Sequence, residues 1–152
     1  MTDAGQRPRE RDMVCKTNDS CALCAQDTET IHHLLAQCPF SRDLWFNLLC
    51  RFGWEAACPL VQDRWFVVWW TAARKRNQKE DRSCFDSLVI LLAWMHWKER
   101  NNRIFDRSAT TVLEALDWVV DEICAWYMAG FHRLEPVVSL LGRSAGRELV
   151  TV

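Results

Sequence analysis

With 152 residues, 49% of them apolar, and a formal net charge of −1, the chain has the makeup of a packed globular protein. That balance excludes wholesale disorder and a globally basic nucleic-acid binder, so any phosphate contact must come from a local patch. Met1 to Asp12 is polar, carries Arg7, Arg9 and Arg11, and lacks the apolar stretch of a secretory signal. The longest apolar run, Leu88 to Trp97, is interrupted by His96 and falls far short of the ~20 residues of a membrane span. The expectation is an intracellular, non-secreted chain, in nucleus or cytoplasm, with no membrane partner. Its eight cysteines are then reduced, and clustered thiols there mean metal or redox chemistry rather than disulfide staples.

Along the chain, residues 1–12 are charged and hold Gly5 and Pro8, and are expected to be mobile. Beyond the Cys/His-rich stretch 13–38, four segments repeat apolar residues at helical spacing. The first runs from Pro39 to Phe52, with Phe40, Leu44, Leu48 and Phe52 on one face, flanked by Trp45 and Leu49. Pro39 suits its first turn and Gly53 its exit. The second covers about 61–76, with Val61, Trp65, Val68, Trp69 and Ala72 sharing a face and Arg74, Lys75 and Arg76 at its end. The third covers about 84–106, with Ser83 as cap and Phe85, Leu88, Leu91, Leu92 and Met95 as its stripe. The fourth covers about 112–129, opened by a Thr111/Glu114 capping box, lined by Leu113, Leu116, Val120, Ile123 and Tyr127, and ended by Gly130. No segment alternates with period two for long, which predicts a mainly α architecture. After Pro136 the sequence is short and mixed, and 132–152 reads as a poorly ordered tail.

The segment that carries chemistry is Cys21-Ala-Leu-Cys24, then eight residues to His33 and four more to Cys38: C-x2-C-x8-H-x4-C. A C-x2-C turn aims two thiolates at one ion, and a histidine and a third cysteine returned by a short helix complete a tetrahedron of the kind Zn²⁺ prefers. His33 and Cys38 lie on different faces of an unbroken helix, so the helix must end near Cys38, as Pro39 also requires. His32 competes with His33 as the third ligand, and Cys15 is a substitute six residues upstream of Cys21.

A second constellation is basic. Arg74 to Arg107 holds nine Lys/Arg against five Asp/Glu, and Lys98, Arg100 and Arg103 follow Trp94 and Trp97. Such groups can hold phosphates and stack bases, although the ordinary role of a charge run is to solvate a helix face. The nine tryptophans are core anchors first, with a few available for an interface. Glu114, Asp117 and Asp121 line one exposed face. There is no Asp-Asp polymerase pair, no Gly-rich phosphate loop and no H-x-E deaminase signature, and a full Cys/His set leaves zinc no position for a catalytic water.

Cys21-Ala-Leu-Cys24, Glu29-Thr30-Ile31-His32-His33-Leu34-Leu35, Cys38-Pro39-Phe40-Ser41-Arg42 and Leu44-Trp45 closely resemble the reverse-transcriptase zinc-binding domain of plant LINE-type retrotransposon polyproteins. The tract from Leu92 to Phe105 resembles the W-x-x-W-K-E-R-N-x-R-x-F helix that follows that domain in such elements. The resemblance selects His33 over His32. It implies one structural zinc on Cys21, Cys24, His33 and Cys38 and a role in holding RNA or DNA, with other parts of the polyprotein as partners. It implies no small-molecule substrate and no catalytic activity in this chain.

These readings combine into a small zinc-stabilised knuckle-like unit followed by a bundle of about four helices. The divisions are 1–12, a zinc-binding domain with its following helix over 13–58, a Trp-rich helical region over 59–131, and the tail. Lys98, Arg100 and Arg103 are the candidate phosphate contacts. Two rivals are a Trp-rich helical protein-interaction module braced by zinc, and a thiol redox protein using Cys21 and Cys24.

Overall fold

The structure, a computed structural model, describes residues 19–148. The expected mobile start, 1–12, and Cys15 lie outside the described residues. Five α-helices carry the fold: α1 Pro39–Cys50, α2 Phe66–Arg76, α3 Arg82–Asn101, α4 Val112–Met128 and α5 Glu135–Glu148. Among the described residues there is no β-strand, only an isolated bridge between Ser20 and Thr28. Among the described residues no helix is long and apolar enough to cross a membrane.

The long helix α3 is the axis of the bundle. Its buried side, Phe85, Leu88, Leu91, Leu92 and Met95, is the stripe the sequence predicts, and α2, α4 and α5 all pack on it while α1 lies against α4. Trp69 sits at the centre, 5.1 Å from Trp45 and 6.2 Å from Phe85 between ring centroids. Both buried indoles satisfy their N–H groups, Trp69 on the Ala57 carbonyl (3.2 Å) and Trp45 on the Leu35 carbonyl (3.0 Å). The second of these bonds fastens α1 to the Cys/His segment. Helix α1 buries Leu44, Trp45, Leu48 and Leu49 in this core.

Several boundaries differ from the sequence reading. The second helix begins at Phe66 rather than 61, because Asp63 closes a turn by accepting the Leu60 N–H (2.7 Å). Its buried face is Phe66, Trp69, Trp70 and Ala73, which leaves Val61, Trp65, Val68 and Ala72 outward. Helix α3 starts at Arg82, so Ser83 lies inside it rather than capping it, and Asp86 accepts from Trp70 and Arg74 of α2. After Asn101 the backbone widens into a π-helical turn, Asn102–Asp106, and stops at Arg107 in the left-handed region. The Thr111/Glu114 capping box forms with both reciprocal bonds. In α4 the buried face is Ala115, Leu116, Val119 and Ile123, so Leu113 is exposed. The expected loose tail is helical over Glu135–Glu148. Pro136 fits a first helical turn, and Leu134, Val137, Val138 and Leu141 return at helical spacing to the core.

One polar group in α3 stands out. His96 is completely buried, and neither ring nitrogen has a hydrogen-bond partner among the described residues. Burial pushes its pKa from 6.5 down to about 3, so the folded ring stays neutral where the unfolded one protonates. Between those values the unfolded state binds more protons, and stability falls as pH drops, by up to about 1.4 kcal/mol per pH unit. Replacing His96→Leu should remove roughly 2 kcal/mol of the destabilisation that wild type suffers on going from pH 7.5 to pH 5. Urea unfolding of both proteins at the two pH values, with zinc present, reads the difference; equal losses would refute an isolated neutral imidazole.

Candidate metal centre

The first two donors come from a tight turn. The Cys21 N–H donates to the Asp27 carbonyl (2.7 Å) and the Ala25 N–H to the Cys21 carbonyl (2.8 Å), with Ala25 in the left-handed region at φ +55°. The Leu23 N–H points at Cys21 Sγ (3.4 Å), an arrangement that favours a thiolate. The other two donors come from the return arm. Thr30 Oγ1 accepts the His33 N–H (3.0 Å), and His33–Gln37 forms a π-helical turn closed by the Cys38 N–H on the His33 carbonyl (2.7 Å). This widening answers the spacing problem. Five residues of α-helix would rotate Cys38 roughly 140° away from His33, whereas an i→i+5 turn brings the two close to the same side. Cys38 then leaves the helix at ψ 134°, as a residue before proline should, and α1 begins.

The donor atoms of Cys21, Cys24, His33 and Cys38 all lie within 4.8 Å of one another. Cys21 Sγ and Cys38 Sγ are 3.8 Å apart, and Cys24 Sγ and His33 Nε2 are 3.3 Å apart. Bonds of ~2.3 Å to sulfur and ~2.0 Å to nitrogen around a tetrahedral ion give edges of about 3.8 Å and about 3.5 Å. All seven described cysteines are free thiols. Cys21, His33 and Cys38 are buried and Cys24 is partly so. The contact with Cys38 draws Cys21 below the ordinary thiol range; the same contact, with burial, lifts Cys38 above it. The pair thus retains a proton that a bound cation displaces. Three sulfurs and one imidazole in this geometry fit one structural zinc with a closed coordination shell. His32 faces elsewhere: its Nδ1 accepts the Phe66 N–H (3.1 Å) at the start of α2, and its ring meets Trp65 edge-on.

The supports around this centre were invisible to a search for ligands alone. Glu29 accepts the Ala22 N–H with one oxygen (3.1 Å) and pairs with Arg100 of α3 through the other. Arg103 donates to the Leu23 carbonyl (2.8 Å) and the Ala22 carbonyl (3.4 Å), both inside the C-x2-C turn, and to Thr110 (3.0 Å). Its Nε binds Glu99 (2.8 Å), which also accepts the Thr110 N–H (2.7 Å), and its guanidinium covers the Phe40 ring. Burial alone would raise the Glu99 carboxyl, but the bonds from Arg103 and Thr110 hold it below its usual range. Arg100 and Arg103, candidate phosphate contacts on sequence, are therefore engaged in tying the knuckle to the bundle. Lys98 stands apart, its ammonium over the rings of Trp94 and Trp118. The one sequence signal for these ties was the resemblance of Glu29-Thr30 to the domain's motif and of the Lys98-to-Phe105 tract to the helix that follows the domain.

A Cys3His knuckle riveted to a helical bundle defines a structural zinc-binding module. Residues 7–45 match the family described as zinc-binding in reverse transcriptase, and that likeness takes in all four donors of the centre. The match stops within α1, leaving most of the bundle beyond it. No curated protein and no solved structure matches the chain.

Two outcomes follow from the centre. Protein purified without chelator should carry one zinc per chain, and Cys38→Ser should lose it along with part of its helical circular dichroism; unchanged zinc in the variant would exclude Cys38 as a ligand. Arg103→Ala leaves Glu99 buried without its cation, which should cost about 3–5 kcal/mol in urea unfolding and speed zinc release to a colorimetric chelator. Stability and release rate equal to wild type would show that the tie to α3 carries no weight.

Proposed function

We propose that the chain is a non-catalytic, nucleic-acid-binding accessory module of a LINE-type retrotransposon reverse transcriptase from a plant, in which zinc bound by Cys21, Cys24, His33 and Cys38 fixes the shape of the binding surface. The observation that carries this is a closed Cys3His centre of the reverse-transcriptase type held rigidly against helices that expose aromatic and cationic side chains. A closed shell favours a bracing metal over a reactive one. Of the three cations chosen on sequence, Lys98 alone has no carboxylate or carbonyl partner among the described residues, its ammonium lying over the Trp94 and Trp118 rings.

A second reading has its own support. Ile90, Trp94 and Trp97 fall at i, i+4 and i+7 on α3 and are 55%, 45% and 54% exposed, an apolar stripe suited to another part of a polyprotein. Salt separates the two. Zinc-loaded protein should bind a fluorescent single-stranded 12-mer with an affinity that falls with salt, at a log–log slope between about −1.4 and −2.1, as two or three phosphate contacts require. Absence of binding at low salt, with concentration-dependent self-association in sedimentation, would favour the interaction module instead.

A further inference from the structure

The cations of the basic tract are mostly spent inside the protein. Arg74 pairs with Asp86 (2.9 Å), Arg76 donates to the Ala56 carbonyl (3.1 Å), and Arg100 and Arg103 hold the knuckle. The aromatic faces beside that tract are also occupied. Lys98 lies 5.4 Å and 4.9 Å from the ring centres of Trp94 and Trp118, and Arg100 lies 5.4 Å from that of Trp97. A base stacking on any of these rings would first have to displace the protein's own cation.

Trp65 is different. It is 61% exposed, the most exposed indole among the described residues, and has no cation over it. Its ring contact is with His32, edge to face at 5.0 Å and 81°, which covers one side at most. His32 is itself pinned by the Phe66 N–H, so the indole is supported in place before any ligand arrives. Trp65 forms one wall of a groove of about 660 Å³ that runs past Asp27, Thr28, Gln37, Arg42 and Arg64 to the ligand His33. Arg64 has no carboxylate partner among the described residues. Among the described residues Arg42 spends only its Nε, on the Gln37 carbonyl (3.1 Å).

The charges in the groove are mixed. Arg42 and Arg64 are positive, while Asp27 and the thiolate-rich centre behind His33 are negative. A bare anion would find half of these walls repulsive. A nucleotide fits them better: the phosphate meets the guanidiniums, the base face meets the indole, and the base edge, with both donors and acceptors, meets Asp27, Thr28 and Gln37. A paired base in a duplex has no free face to offer.

We infer that this groove receives an unpaired base of single-stranded nucleic acid, stacked on Trp65, with the adjoining phosphates on Arg64 and Arg42. The inference rests on the nucleic-acid-binding reading above and assigns it to a face the sequence motifs did not mark.

The test uses the zinc-loaded full chain and fluorescence anisotropy with labelled oligouridine, oligothymidine and a duplex of equal length. Trp65→Ala should weaken binding of both single strands about tenfold, and Trp65→Phe should restore most of it. Arg64→Glu should weaken binding and flatten the salt slope, whereas Lys79→Glu, the same charge reversal outside the groove, should change affinity less than twofold. Equal losses for RNA and DNA indicate readout of base and phosphate alone, and a larger loss for RNA adds a contact to the ribose hydroxyl; both support the groove. Zinc content and circular dichroism verify folding, and if Trp65→Ala loses zinc, Arg64→Glu decides. Single-strand binding by wild type that survives both Trp65→Ala and Arg64→Glu overturns the groove but leaves the proposed function standing. Absence of binding by wild type overturns both, and duplex bound as tightly as single strand overturns base stacking.

Discussion

Three sulfur donors and an imidazole gathered within 4.8 Å repel one another as soon as the thiols ionise, and only a cation at their centre turns that repulsion into attraction. The rest of the N-terminal region depends on this. The knuckle's own buried core is Cys21, Leu23, Leu34 and Cys38, with Cys24 and Phe40 at its edge, far too little apolar surface to hold a chain in one shape. Half of that core consists of metal ligands. Metal binding and local folding are therefore one process here, and the π-helical turn from His33 to Gln37, which an isolated peptide would scarcely populate, is held by the coordination it makes possible.

The bundle reinforces the knuckle through polar contacts as well as apolar ones, with Ala36 buried in the bundle core and Phe40 packed against both cores. Arg103 reads the carbonyls of the C-x2-C turn, Arg100 reaches Glu29, and the Trp45 indole holds the Leu35 carbonyl just past the ligand histidine. Each tie has a defined direction and length, so together they set the angle between knuckle and bundle more sharply than greasy contact could. That rigidity reaches the surface, because Phe66 of α2 anchors His32, the neighbour of a ligand, and His32 in turn supports Trp65.

The helical architecture, four of the five helices and the spacing of the metal donors were legible in the sequence, because each leaves a local trace: a period, a cap, a C-x2-C pair. The buried side of α3 was read correctly because its apolar residues outnumber any alternative face. The buried side of α2 was not. Helix α2 is apolar nearly all round, Val67, Val68, Trp69 and Trp70 being consecutive, so the period does not say which side faces inward; a turn closed by Asp63 sets the phase instead. The last helix was missed because the stretch after Pro136 reads as short and mixed, although a proline in a first turn breaks nothing. The roles of Arg100 and Arg103 were illegible for a different reason. A charge run looks the same whether it faces water or a row of carbonyls, and the partners here lie 71 to 81 residues away.

That separation has a consequence for the chain's life during synthesis. The knuckle, complete at Cys38, leaves the ribosome while α3 is still untranslated, so for more than sixty residues of elongation, about 3 to 12 s at ordinary rates, it lacks the ties from Arg100 and Arg103. Throughout that interval Cys21 and Cys38 are near neighbours whose alternatives to zinc are a disulfide or further oxidation. Early capture of the ion therefore protects the thiols until Arg100 and Arg103 arrive to lock the turn.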